Sequence, residues 1–357
     1  MSSLIGKKVN FLSLKNIVLI GGGDLMAVSA KIFKELNFNV TMIVATRHID
    51  EKLALSNNTL ADYCKELSIN PHVITDINLL TKKQLSAIIP KHSLALCFGP
   101  AWVFNNQVLS EFFYGMFNIN AIPIPHYLGG AHYTWQLLNK NIDGGCFFQQ
   151  ITDKVDQGDI FDQLRFNISP DANTPNQYFA ENVRHGTYFI HRLATKFIEG
   201  NEFIPVPYSE LNKHRLYFPR LRTDRQAYIN WHWTAQEIVS FCQGFDEPYS
   251  GAASFIKGIK LRFKKVRLIT LTDEYNNEIP PMHPFCSGLI IRISNSEVNS
   301  SIIVAARDGF IALEEVSCED KCYKSYLKEG MRIHTPQSTI DDAMSYEVTI
   351  DGLGFKD

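Results

Sequence analysis

Apolar positions along the first third of the chain recur in two alternating rhythms. NIVLI at 16–20 is β-branched and aliphatic, and after three glycines the apolar stripe Met26, Ser29, Ala30, Phe33 and Leu36 follows at helical spacing. A second β-rich run fills 40–44, so this stretch reads as strand, helix, strand, a unit that implies parallel pairing. The alternation continues. LADYCKELSI predicts a helix, PHVITD a short strand, TKKQLSAIIP a helix opening at Thr81, and SLALCFG a buried strand. AWVFNNQVLSEFF is then expected to be helical and GMFNINAIPI to be the fifth strand of the series. The fold class that follows for 16–125 is α/β: a Rossmann-like open, mostly parallel sheet with helices on both faces.

Beyond a Gly-Gly turn, HYTWQLLNK predicts a helix, GGCFFQQIT a strand and DKVDQGDI a turn. A long helix is expected over 175–200, with an Asn or Thr cap at its start and Gly200 at its end. Near 205 the composition changes. Pro205, Pro207 and Pro219 with the basic HRLYFPRLRTDR read as a linker. One helix starts at Thr234, and GAASFI, IKLRFKKVRLI, SGLIIRIS and SIIVAARDGFIALEEV are strand-like, which predicts a small barrel or sandwich. The expected division is a domain over 1–205, a linker over 206–225 and a second domain over 226–357.

Composition narrows the function classes. A net charge of -2 argues against holding nucleic acid by bulk electrostatics. Seven cysteines, an odd number and scattered, suit a reducing cytoplasm, and Cys318 and Cys322 lack the second pair or His of a zinc set, so no metal is expected. No apolar run approaches the length of a membrane span, and the N-terminal MSSLIGKKVNFLSLKN is a poor signal peptide; the expected location is cytoplasmic. Gly21, Gly22 and Gly23 sit where a dinucleotide fingerprint would. They lack its third glycine, and Asp24 puts negative charge where a pyrophosphate would lie, so they read better as a tight strand-to-helix turn.

Two polar clusters stand at the ends of predicted buried strands: Asn118 and Asn120 in FNINAIPIPHYLGG, and Asp156 in DKVDQGD. In an open α/β sheet, convergence at strand carboxyl ends is expected. An amide and a carboxylate meeting there suit acyl transfer to an amine: the amide donates to the developing oxyanion and the carboxylate takes the proton the amine loses. Capping and turn roles remain open for the same residues.

FNINAIPIPHYLGGAHYTWQLLNKNIDGGCFFQQITDKVDQGDIF resembles the core of the folate-dependent formyltransferases, the family of methionyl-tRNA, glycinamide ribonucleotide and sugar-nucleotide formyltransferases. The match carries the family Asn at Asn118, its Pro at Pro125, its turn glycine at Gly129 or Gly130, and its Asp-x-Gly at Asp156 to Gly158. YFPRLRTDRQAYINWHWTAQEIVSFCQGFDEPYSGAASFIKGIKLRF is similar to the start of the family's OB-like C-terminal domain, and GLIIRISNSEVNSSIIVAARDGFIALEEV to its closing strands.

The resemblance implies a formyl donor, 10-formyltetrahydrofolate, in a cleft walled by Phe98, Trp102, Ile122, Ile151, Asp153 and Val155. It also implies a catalytic Asn, His and Asp. Asn120 stands where the family keeps its His, and an amide exchanges hydrogen bonds but carries no proton. His126 and His132 are the candidates to compensate in catalysis, with packing against Tyr127 or Tyr133 as their alternative role; His132, at a helix start, is the better of the two and is expected to be held neutral by the helix's partial positive charge, available as donor or acceptor. The implied acceptor is a small-molecule amine, an amino sugar on a nucleotide being favoured, with tRNA not excluded. A non-catalytic relative, or one with another acyl donor, stays open, as does a homodimer.

Overall fold

The computed structural model describes residues 8–56, 58–295, 300–319, 321–351 and 354–356. Compactness divides the chain into two units. One runs to Leu128 and includes 143–168 and 180–217; the other takes 129–142, 169–179 and everything from Phe218. The segments 129–142 and 169–179, expected in the first domain, thus group with the second unit, and the expected linker is split between Tyr217 and Phe218.

The first unit is built on β1 (Asn16–Gly21), α1 (Gly23–Glu35), β2 (Asn39–Ala45), α2 (Leu60–Glu66), β3 (His72–Ile74), α3 (Lys82–Ile88), β4 (Ser93–Phe98), α4 (Asn106–Ser110) and β5 (Met116–Asn120). After α5 (His132–Leu138) come β6 (Asp143–Gln150), β7 (Ile160–Asn167) and α6 (Pro175–Glu199). The sheet order is β3-β2-β1-β4-β5-β6-β7, parallel through β5 and antiparallel at β6 and β7. The predicted α/β class is therefore the observed one.

Alternation along the strands sorts side chains onto two covered faces. Ile17 and Leu19 join a cluster with Met26 and Phe33 of α1 and Phe189 and Leu193 of α6. Val18 and Ile20 face Leu85 of α3 and Val108 of α4. Aromatic packing marks the first face: Phe148 stacks on Phe117 at 4.1 Å and meets Phe11, Phe161, Phe197 and Phe203.

The glycine turn after β1 is structural. Gly21 has φ +128, and a Cβ there would sit 2.0 Å from the Phe98 carbonyl oxygen. Asp24, 6% exposed, accepts hydrogen bonds from the backbone N–H groups of Ala54 and Leu55, both at 2.9 Å, and so fastens the loop after β2.

Two predictions in this unit need correction. The helix expected over 101–113 is confined to Asn106–Ser110. Asn78 is the reason: its side chain bonds the Val103 carbonyl and the Asn105 N–H, both at 2.9 Å, holding 103–105 as a loop until Asn105 caps the helix at Val108. The strand β7 was not expected at all, although IFDQLRFN alternates buried and accessible positions along most of its length, as an edge strand should.

The second unit carries α7 (Ala235–Gly244), opened by a capping box of Thr234 and Glu237. It also holds β8 (Ala252–Ile256), β9 (Ile259–Ile269), β10 (Ile290–Asn295), β11 (Ser300–Ala306), β12 (Gly309–Cys318) and α8 (Gln337–Ser345). The antiparallel order is β8-β9-β12-β11-β10. One extended segment hydrogen-bonds both edges, Ile333 N–H to the Gly288 carbonyl at 2.7 Å and His334 N–H to the Phe255 carbonyl at 2.8 Å. The helix α8 lies in what the sequence read as wholly strand-like. The closing-strand stretch compared above includes 296–299, which lie outside the described residues, as do 1–7 of the N-terminal segment.

Candidate active site

Strand β5 puts Phe117 and Ile119 into the α1 face, so Asn118 and Asn120 point to the other, where Met116 and Cys97 also lie. Both asparagines are half-buried. Directly across the antiparallel ladder, Asn118 pairs with Gln149 and Asn120 with Phe147, so all four side chains share one face.

Gln149 is 1% exposed. Its Nε2 donates to the backbone carbonyls of Asp156 at 3.1 Å and Gly158 at 3.0 Å. The amide that neighbours Asn118 thereby grips the Asp-x-Gly loop. Asp156 has φ +54, the left-handed region, uncommon for a non-glycine residue though one that Asp enters more readily than most. Gly158 is buried against β6, where a Cβ would lie 1.8 Å from the Gln150 carbonyl oxygen. Two acceptors here, Asn118 Oδ1 and Gln149 Oε1, are buried with no hydrogen-bond partner. Such atoms call for a donor.

Burial raises the Asp156 pKa above the usual carboxylate value, opposed by the charge of Arg215. Tyr208, buried on the same side, has its phenol pKa raised by burial, with Arg215 opposing and Asp156 adding to it. The Tyr208 N–H also donates to Asp159 at 3.1 Å, tying the end of the loop to the chain after α6.

The predicted wall residues are dispersed. Trp102 and Ile151 pack on the cluster of the face that carries Asn118, with Trp102 Nε1 donating to the Thr75 carbonyl at 3.0 Å. Ile122 belongs to a small cluster with Ile124, Phe147, Ile160 and Tyr208. Phe98 lies in the core of the opposite face, and Asp153 and Val155 are exposed. His126 is half-buried in the turn.

His132, the first residue of α5, belongs to the second unit. Its Nε2 is buried without a partner, and its ring meets Tyr133 edge-on at 4.1 Å. It is neutral, as expected, but for another reason: burial first, then the charge of Arg220, lowers its pKa to about 4.

Gln149, Tyr208 and Arg215 were missed from sequence. The sequence marks Gln149 only as one of two glutamines that close the otherwise apolar run CFFQQI, and nothing local tells which of them turns toward Asn118. The cavity resolved most clearly lies in the second unit, about 700 Å³ between Trp135, Tyr228, Trp233, Phe241 and Tyr346, and none of the predicted site residues lines it. Among the described residues, no group of three or more His, Cys, Asp or Glu is placed to hold a metal ion, and no helix is long and apolar enough to cross a membrane.

Comparison with known proteins adds to this geometry. Residues 222–325 match the formyl transferase C-terminal domain. A methionyl-tRNA formyltransferase of Malacoplasma penetrans is 25% identical over 325 residues, 89% of this chain and 93% of that protein. Among solved structures, the sugar 3N-formyl transferase WlaRD, with dTDP and 5-N-formyl-THF, aligns at a TM-score of 0.59 and 16% identity, covering 86% of this chain and 98% of that one. An N-formyltransferase from Helicobacter canadensis, complexed with folinic acid and dTDP-3-aminofucose, aligns at 0.58 and 16%, covering 84% and 99%. Over the C-terminal domain by family model and over most of its length by sequence, the chain is therefore similar to formyltransferases.

Proposed function

We propose that the protein transfers a formyl group from 10-formyltetrahydrofolate to a primary amine, with Asn118 and Asp156 as the reacting pair. The observation that carries this reading is Gln149, which pairs with Asn118 across the ladder and bonds the Asp156 carbonyl. The amine nitrogen attacks the formyl carbon, and Asn118 donates an N–H to the oxygen as it becomes an anion. The bond from that carbon to the folate nitrogen then breaks. Asp156 takes the proton that the amine loses, and the departing folate nitrogen regains one. A base raised by burial is matched to this task, since a stronger base takes the amine proton more readily.

The acceptor is a nucleotide-linked amino sugar. Support comes from the acceptor named for the Helicobacter canadensis neighbour and the dTDP of WlaRD, and from a net charge of -2, which does not suit a tRNA surface. The Malacoplasma relative keeps methionyl-tRNA as the competing acceptor. The C-terminal sheet, bridged at both edges, is read as the family's OB-like domain. The test is to supply 10-formyltetrahydrofolate with dTDP-linked amino sugars or with methionyl-tRNA and to identify N-formyl products by mass spectrometry. Product from the sugar nucleotides alone supports the acceptor; product from tRNA alone overturns it; none from any amine overturns the transferase reading.

Asn120 favours a second reading, a relative that binds the same ligands without turnover. In that case the donor and the sugar nucleotide bind, by calorimetry, while no product forms.

A further inference from the structure

We infer that Gln149 is the positioning residue of this site: its side-chain amide holds the Asp156 loop against the strand pair that presents Asn118. The inference rests on the functional reading above only for its consequence in turnover. Both N–H groups of Gln149 are committed to one loop, one to the carbonyl of Asp156 itself and one to that of Gly158. Its side chain is fully enclosed, and its register partner is Asn118. A buried side chain that bridges two carbonyls two residues apart fixes both peptide planes and the path of the residue between them. Asp156 occupies that first position, in the left-handed region. The hydrogen bond on its carbonyl anchors the residue there in a water-excluded setting.

The geometry also leaves Gln149 Oε1 buried and unpartnered next to Asn118 Oδ1. Here both free acceptors lie on the strand pair that faces the reacting groups, where a substrate amine brings N–H donors. Gln149 therefore positions Asp156 with one end and offers an acceptor with the other.

The charged and titratable groups around Asp156 are Arg215 and Tyr208 from the chain after α6, and Asp153, Lys154 and Asp159 of its own loop. With Gln149→Leu both N–H donors are lost while bulk is kept. The loop then relaxes outward and the Asp156 carboxyl hydrates, so its titration midpoint falls. Gln149→Glu also removes the donors but adds a negative charge beside the carboxyl, so its midpoint rises instead.

The experiment is a carbon-13 titration of the aspartate carboxyls in the full chain, with Asp156 assigned by its absence in Asp156→Asn, alongside amide exchange of 153–159. The expected result is a downward midpoint shift with Gln149→Leu, an upward one with Gln149→Glu, and roughly tenfold faster exchange in both. In formyl transfer kcat falls while KM for the donor changes less. Midpoints and exchange that match the wild type in both variants overturn the inference. A loss of melting temperature without movement of the Asp156 midpoint also overturns it, because that is what a merely structural glutamine would do. If Gln149→Leu fails to fold, Gln149→Glu decides by the sign of its shift. The titration needs no turnover, so a wild type that forms no product sinks the proposed function and leaves this inference to be judged on its own.

Discussion

Gly158→Ala tests whether the Asp-x-Gly loop must lie as closely on β6 as it does. The added methyl would meet the Gln150 carbonyl oxygen at 1.8 Å and its carbonyl carbon at 2.6 Å. Both atoms are backbone, and that backbone is committed: Gln150 N–H donates to the Asp159 carbonyl at 2.9 Å. An ordinary contact needs roughly 3.5 Å, so the loop must lift by about 1.5 Å. Overpacking of this kind costs about 1–3 kcal/mol, and an overlap against backbone belongs at the upper end. At about 2–4 °C per kcal/mol, the melting temperature should fall by roughly 5–10 °C. The lift also carries Asp156 away from the Gln149 amide, and a misplacement of about 1 Å costs on the order of a hundredfold in rate. The assay is kcat/KM for formyl transfer beside a thermal melt. An alanine variant with native melting and turnover within about threefold of wild type would refute the close approach.

Asp156→Asn should abolish turnover and yet raise the melting temperature near neutral pH. The sign follows from its raised pKa: the folded state binds the proton more tightly than the unfolded, so stability falls as pH rises from the ordinary carboxylate value through the folded one, and the charge is a burden above it. In the wild type, the acid limb of kcat/KM should accordingly lie above the ordinary carboxylate range, and a limb at the ordinary value would count against Asp156 as the base. Asn120→His should increase kcat, by roughly tenfold if a charged donor is about 1.4 kcal/mol stronger than a neutral one, and a loss of activity would mean the site is built around the amide. Asp24→Ala removes the acceptor of two backbone N–H groups and should lower stability by about 3 kcal/mol in urea with an unchanged m value.

The elements legible in the sequence are those whose periodicity is settled by burial. Strands β1 and β4 are apolar after their first residues, Asn16 and Ser93, because both faces are covered, and α1 shows its stripe because one of its faces is. What was not legible depends on contacts between distant side chains. The late start of α4 follows from Asn78, about 27 residues upstream of Asn105, whose side chain no local rule connects to it. The neutrality of His132 was foreseen, but its cause was taken from helix position, whereas burial and Arg220 decide it. Asn118 and Asp156 stood out as polar groups at strand ends. Gln149 did not, because its importance appears only once the ladder register sets it opposite Asn118.

That register also bears on how the proposed pair, Asn118 and Asp156, would come together. By position alone they are expected to converge outside the carboxyl ends of their strands. Strand β6, however, runs antiparallel to β5, so its carboxyl end lies beside the amino end of β5, where Ile151 N–H donates to the Met116 carbonyl at 2.8 Å. A loop leaving there can lie against Gln149 and Gln150 only by doubling back along the strand. Three contacts make it do so. Gln150 holds Asp159, Gly158 admits close approach to the Gln150 carbonyl, and Gln149 bonds the carbonyls of Asp156 and Gly158. The spacing of Asp-x-Gly then has a physical reason: the glycine must touch the strand so that the carbonyl of the residue two before it can be held by the glutamine that pairs with Asn118.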